Sequence, residues 1–336
     1  MPSRSARRTQ CEAEPAALSR RHLLALALGG LVPTLGRAQE VGRPVKLIVG
    51  FAPGGSADLI ARLIAPRLSE ALGSTVVVEN RAGASGTLAS AFVARSTPDG
   101  TTLLMGSQSP VIITPQTLRS STFKPLSELV AVNTVGLTTQ VIAVNPATGI
   151  KTLADLIAVA RAKRLSLASA GTGGMTHVAI ELLNRAAGGR VVHVPYKGSG
   201  PGINDMLARH VQGVVADLAP LLPFIQERRL VAVAVTSEKR FEFLPDVPTA
   251  NETIPGLGAT SWAGVLAPGA TPTPVVARIN AALVSVAAHE DVKAQLRKAG
   301  FIPSTMASPR DFQAFLAADF TRWGRVIKEL DIVSDE

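Results

Sequence analysis

Cysteine is nearly absent from this chain, and aromatic residues are scarce. The one cysteine, Cys11, lies close to the N-terminus, so no intrachain disulfide can form and no thiol chemistry is expected of the main body. Aromatic residues make up 4% of the 336 positions, while Gly (29) and Pro (23) are frequent. That balance suits an α/β protein with many short loops between buried strands and helices. The motifs of several enzyme classes are also missing. Neither a P-loop nor a G-x-G-x-x-G fingerprint follows the first strand, which disfavours nucleotide binding. G-x-S-x-G is absent, so there is no nucleophile elbow. His177, His193, His210 and His289 show no metal-ligand spacing. No run of Lys and Arg supports a nucleic-acid reading.

The first forty residues read as an export signal. Arg4, Arg7 and Arg8 precede Ser19-Arg20-Arg21-His22-Leu23-Leu24, an apolar run to Val32, and Gly36-Arg37-Ala38 with small residues at the cleavage positions. The apolar run is too short to span a bilayer comfortably. The arginine pair fits a twin-arginine signal, and ordinary Sec export fits as well. Cleavage after Ala38 would lower the formal net charge from +9 to +5 (28 basic against 23 acidic residues) and remove Cys11. The expected location is the periplasm.

Beyond this segment, strands and helices alternate. Residues 45–51 read as a buried strand, 57–72 as a helix, 75–79 as a strand, 87–95 as a helix and 101–106 as a strand. This βαβαβ order implies a largely parallel sheet with right-handed crossovers. The pattern restarts with a strand at 135–144, a helix at 153–162, a strand at 165–169 and a helix at 176–187. Helices at 274–288, 291–299 and 309–330 close the chain. A strand, a Gly-rich loop and a helix thus occur at 45–72 and again at 165–187, as in two α/β units facing a common cleft. The runs at 135–144 and 262–267 are candidates for the chain crossings between them.

The two Gly-rich loops are the candidate binding elements. Pro53-Gly54-Gly55-Ser56-Ala57-Asp58 brings backbone N–H groups and a helix N-terminus to one point, which favours an anion; Ser56 or Asp58 could instead merely cap the helix. Ser169-Ala170-Gly171-Thr172-Gly173-Gly174-Met175-Thr176-His177 repeats the arrangement with hydroxyl donors interleaved. His177 reads as a structural hydrogen-bonding residue rather than a general base. Lys197 reads as a solvated loop lysine rather than a Schiff-base former. Asp217, at the carboxyl end of a strand, either caps the next helix or meets an amine or hydroxyl of a ligand. An enzyme built on Lys197, His177 and Asp217 would need these side chains within hydrogen-bonding reach of one another.

These segments resemble the tripartite tricarboxylate transporter solute receptors, also called Bug receptors. The likeness runs over about 43–332 and rests on Pro53-Gly54-Gly55 with Asp58, Val78-Glu79-Asn80-Arg81-Ala82-Gly83, Pro98-Asp99-Gly100-Thr101-Thr102-Leu103, Ser169 to His177, Val194-Pro195-Tyr196-Lys197-Gly198 with Pro201, and Leu244-Pro245-Asp246-Val247-Pro248-Thr249. Thr101 stands where such receptors often have Tyr, and Arg209-His210-Val211 replaces a Gly-rich turn. The resemblance implies a two-lobed periplasmic binding protein of Venus-flytrap, type II-like form, each lobe a mainly parallel sheet flanked by helices. The corresponding division is a signal peptide at 1–38, a first domain at 39–142 plus 263–336, and a second at 143–262. The implied ligand is a small carboxylate, an organic acid or amino acid, held between the lobes largely by main-chain groups and water. The ligand-binding positions expected are Phe51, Ala52, Pro53, Gly54, Gly55, Asp58, Ser107, Ser169, Ala170, Gly171, Thr172, Gly173, Gly174, His177, Tyr196, Lys197 and Asp217. No catalytic residue, metal or cofactor is expected. The implied partners are the membrane subunits of a secondary transporter or a sensor protein, with the receptor a monomer; a ligand-sensing role in signalling is the alternative.

Overall fold

The computed structural model of the protein describes residues 43–333. The expected signal segment lies outside the described residues.

The first α/β unit follows from its apolar pattern. β1 (Val45–Val49) buries Val45, Leu47, Ile48 and Val49, as an inner strand covered on both faces requires. α1 (Ser56–Leu72) presents Ile60, Ile64 and Leu68 on one stripe, all fully buried, and ends on Gly73 in the left-handed conformation (φ 65°). Burial of each such side chain contributes about 1.5–3 kcal/mol before chain entropy is subtracted. β2 (Val76–Asn80), α2 (Thr87–Ala94) and β3 (Thr102–Ser107) complete the unit, with β2 and β3 both parallel to β1. A helical passage over 109–117, which includes the short α3 (Thr114–Thr117), and α4 (Pro125–Glu128) lead to β4 (Leu129–Val144).

The second unit comprises α5 (Leu153–Ala162), β5 (Leu165–Ser169), α6 (Met175–Ala186), β6 (Val191–Pro195), α7 (Ser199–Leu207), β7 (Gly213–Asp217), α8 (Leu218–Gln226) and β8 (Val231–Val235). β6 and β7 flank β5 in parallel. The chain returns through β9 (Thr260–Pro268), α9 (Thr273–Ala288), α10 (Glu290–Lys298), β10 (Ile302–Pro303) and α11 (Pro309–Leu330). α11 is held by Phe312, whose ring meets that of Trp262 on β9 edge-on at 5.3 Å.

One strand carries the chain between the two units. β4 pairs antiparallel with β9 from Leu129 to Thr139, and from Gln140 onward with β7 and β8. The sheet therefore runs β2-β1-β3-β9-β4-β7-β5-β6, two parallel βαβ halves joined by long antiparallel strands. β4 begins six residues earlier than its sequence suggests. Asn133 and Thr134 interrupt the apolar run, and the pairing with β9 is irregular at both. Asn133 is nonetheless buried, because its amide donates to Asn280 Oδ1 (2.6 Å) and to the Met306 carbonyl (3.2 Å). β10 and the 109–117 helix also lack a readable sequence signal.

Candidate functional site

The expected loops meet where the two units face each other. Glycines and a buried hydrogen-bond network shape the first. Asp58 is buried beneath it, accepting from Gly54 N–H (3.0 Å), Arg62 Nε (3.0 Å) and Asn80 Nδ2 (2.9 Å). Burial alone would raise its pKa, but the bonds from Arg62, Gly54 and Asn80 hold it below the usual carboxylate range. Asn80 also donates to the Phe51 carbonyl (3.0 Å). Asp58 thus positions the loop, while Gly55 occupies the N-cap of α1 without a side-chain cap.

The second loop is fastened by two imidazoles. His177 Nδ1 accepts from Gly173 N–H at 3.0 Å, and His193 Nε2 lies 2.6 Å from Ser169 Oγ. The rings stack, with centroids 3.9 Å apart and planes 15° from parallel. Burial first, and then the neighbouring His177, push the His193 pKa down to about 4. His177 thus serves as a structural hydrogen-bonding residue.

The units touch directly through these loops. Ser85 Oγ donates to the Thr172 carbonyl (2.6 Å), Thr117 Oγ1 to the Gly173 carbonyl (2.6 Å), and Met175 N–H to Ser109 Oγ (3.0 Å). Ala52 N–H donates to the Lys197 carbonyl (2.9 Å). The approach is close enough to require glycine. A Cβ on Gly171 would lie 2.5 Å from Ser85 Oγ, at a φ of +145° that side chains rarely adopt. Gly171→Ala should therefore oppose closure and weaken ligand affinity at least tenfold by calorimetric titration. Adding Ser85→Ala should recover part of the loss; affinity unchanged in the single variant would show that this contact is not made in the bound state.

An inner cavity of about 40 Å³ lies between the units. Phe51, Gly55, Ser107, Ala170 and Asp217 of the expected positions line it, with Ser56, Ala57 and Thr176 from the same loops. Gln108, Ser109, Gln140, Ser199 and Ser261 complete the wall and were not anticipated. Four helices of at least nine residues (α1, α6, α7 and α8) begin at this wall, directing first-turn N–H groups and partial positive charge toward it. Gln108 Nε2 donates to Asp319 (3.4 Å), leaving Oε1 buried without a partner; Gln140 Oε1 is likewise unpartnered. A second cavity of about 220 Å³ adjoins it across Phe51 and Ala170, lined also by Gly171, Thr172, Tyr196 and Lys197. Ala52, Pro53, Gly54, Asp58, Ser169, Gly173, Gly174 and His177 line neither cavity; Pro53 and Gly54 are exposed, while Asp58, Ser169 and His177 are buried.

Asp217 is the N-cap residue of α8 but makes no capping bond. Its carboxyl is instead engaged by the hydroxyls of Ser261 and Ser56, and burial pushes its pKa up to about 6. Lys197 lines the second cavity and His177 stacks on His193, so the three side chains an enzyme would need are dispersed. Tyr196 is turned to Asp205, 2.6 Å from its hydroxyl, and burial with that bond raises its pKa to about 12.

Two α/β halves joined by crossing strands, with Gly-rich loops and helix N-termini around a cavity, define a two-lobed solute-binding protein of the periplasmic type. The chain belongs to the tripartite tricarboxylate transporter family of receptors, whose family model matches residues 60–332. It is 35% identical over 312 residues to protein BugT of Bordetella pertussis, covering 90% of this chain and 94% of that one. Among solved structures, Rpa4515 of R. palustris with adipate superposes with a TM-score of 0.81 at 32% identity, covering 87% of this chain and 98% of the other. MatC of Rhodopseudomonas palustris with bound malate gives 0.80 at 28% identity, with 85% and 99% covered. Periplasmic binding protein BugD gives 0.80 at 29%, with 87% and 99% covered. The family is one of solute receptors.

Proposed function

We propose that the protein is an exported periplasmic receptor, not an enzyme, that closes on a small carboxylate and presents it to the membrane subunits of a tripartite tricarboxylate-type transporter. The observation that carries the reading is the inner cavity. It combines helix N-termini and serine hydroxyls with no Lys, Arg or His in its wall. Neutral donors of this kind compensate a buried carboxylate without a buried cation. The adipate and malate held by related structures are consistent with that chemistry. The lobes assigned are 39–142 with 263–336, and 143–262. Export proceeds through the segment at 1–38 by the Sec or twin-arginine route, and the receptor acts as a monomer.

The test is a thermal-unfolding panel of mono- and dicarboxylates and amino acids. A true ligand at a hundred times its Kd should stabilise the protein by about 2.7 kcal/mol, a rise of several degrees in Tm. A panel in which no carboxylate raises Tm would sink the reading.

A further inference from the structure

Asp217 is the one ionisable side chain lining the inner cavity, so a carboxylate bound there meets a carboxyl group of the protein. Its own partners, Ser56 and Ser261, are neutral. No Lys, Arg or His side chain lines the cavity with it, and Lys197 lines only the second cavity. β4, β9 and α8 contain no Asp, Glu, Lys, Arg or His at all. On α1, Arg62 is spent on Asp58 (2.9 Å), and Arg67 on Glu70 and Asp291. On α6, His177 faces Glu181 (3.5 Å) and Arg185 lies exposed in the last turn, and on α7 Asp205 is taken by Tyr196. Two ionised carboxylates a few ångströms apart in such surroundings repel by more than a neutral hydrogen bond returns. Two carboxyl groups sharing a site resolve this by holding one proton between them.

Resting on the carboxylate reading above, we propose that Asp217 takes up a proton with the ligand, so that the receptor binds one carboxylate and one proton as a single package. The proton comes from solvent. It resides on an Asp217 carboxyl oxygen and is donated in a hydrogen bond to a ligand carboxylate oxygen; no covalent bond of the ligand changes. The fold has already reduced the cost of this step. An aspartate at its ordinary 3.8 would impose a penalty of more than a thousandfold on protonation at pH 7, whereas burial to about 6 leaves roughly tenfold. The second α/β unit thereby contributes an acid to a cavity whose other donors are hydroxyls, side-chain amides and main-chain N–H groups.

The purified protein is titrated calorimetrically with adipate, malate and any acid positive in the panel. Measurements run from pH 6.5 to 8.5, where aliphatic acids stay ionised, in pairs of buffers of different ionisation enthalpy. The expected result is uptake of close to one proton per ligand at the alkaline end and a Kd that weakens about tenfold per pH unit above the Asp217 titration. Asp217→Asn supplies a donor that does not titrate, so it should bind with no proton uptake, a flat pH profile and tighter affinity than the native chain at pH 8.5. Carboxyl NMR supplies a second readout, in which the Asp217 resonance stays protonated in the loaded protein at pH 8. Native binding with a constant Kd and no proton uptake overturns this inference while leaving the carboxylate reading intact. The same slope in Asp217→Asn also overturns it. Absence of binding by any acid at any pH overturns both.

Discussion

The ligand-free Asp217→Asn protein should be more stable than the native chain at pH 8, by at most about 3 kcal/mol, and no more stable at pH 4. The magnitude follows from the displacement of Asp217 from 3.8 to about 6, at 1.36 kcal/mol per unit. The sign follows from proton binding. The folded state holds the Asp217 proton more tightly than the unfolded chain, so the stability it contributes is complete below pH 3.8 and is lost as pH rises through 6. Above that range the native chain carries a half-buried charge whose side-chain partners are two serine hydroxyls, and the amide carries none. Urea unfolding of both proteins at pH 4 and pH 8 decides the matter. An equal midpoint at pH 8 would show that the carboxylate is already compensated. A cavity group that costs stability in the empty protein is common where a site is shaped for a partner.

His193 should cost the protein up to about 3 kcal/mol as pH falls from 6.5 toward 4, a loss that Asp217 offsets in the native chain. The folded pKa of about 4 lies below the unfolded 6.5, so the neutral ring is the form that folding favours. Its stabilising effect is complete above 6.5 and disappears through the folded value. The window overlaps that of Asp217 with opposite slope, so the native stability curve between pH 4 and 6 should be nearly flat. Asp217→Asn removes one slope and should expose the other, giving a variant whose urea midpoint climbs steeply with pH. His193→Gln should do the converse and, by releasing Ser169 Oγ, also weaken ligand binding. A steep native curve that His193→Gln leaves unchanged would assign the acid loss to other groups.

The parts of the fold legible in the sequence are those where one physical signal dominates. α5, β5 and α11 have their expected ends, because apolar periodicity and caps such as Thr152 and Ser308 agree. The front half of β4 was hidden by Asn133 and Thr134, and the burial of Asn133 depends on partners more than a hundred residues away. The site divides in the same manner. Loops 53–58 and 170–177 were readable because glycine before a helix has a local meaning. Ser199 and Ser261 carry no such signal, since a serine looks the same on any loop. Gln140 offered one faint sign: a long polar side chain immediately before the apolar run Val141–Val144, where burial has to be explained.

β4 also constrains how the receptor can open. A continuous strand shared by both halves is inextensible along its length, so the halves cannot slide past each other or separate by translation. The chain returns beside it at Ala259 and Thr260, and Thr236 ties the two passages together. Its N–H donates to the Gln140 carbonyl (2.9 Å), and its carbonyl accepts from Ala259 N–H (2.6 Å). Opening is thus confined to twist and bend at 139–140 and 259–260, a leaf spring with one clip. Gln140 and its cross-strand neighbour Asp217 sit on that spring. A ligand gripped there loads the flexing element itself and has short leverage over a long arm, so small changes at the cavity become large displacements at the outer surfaces a membrane partner would meet.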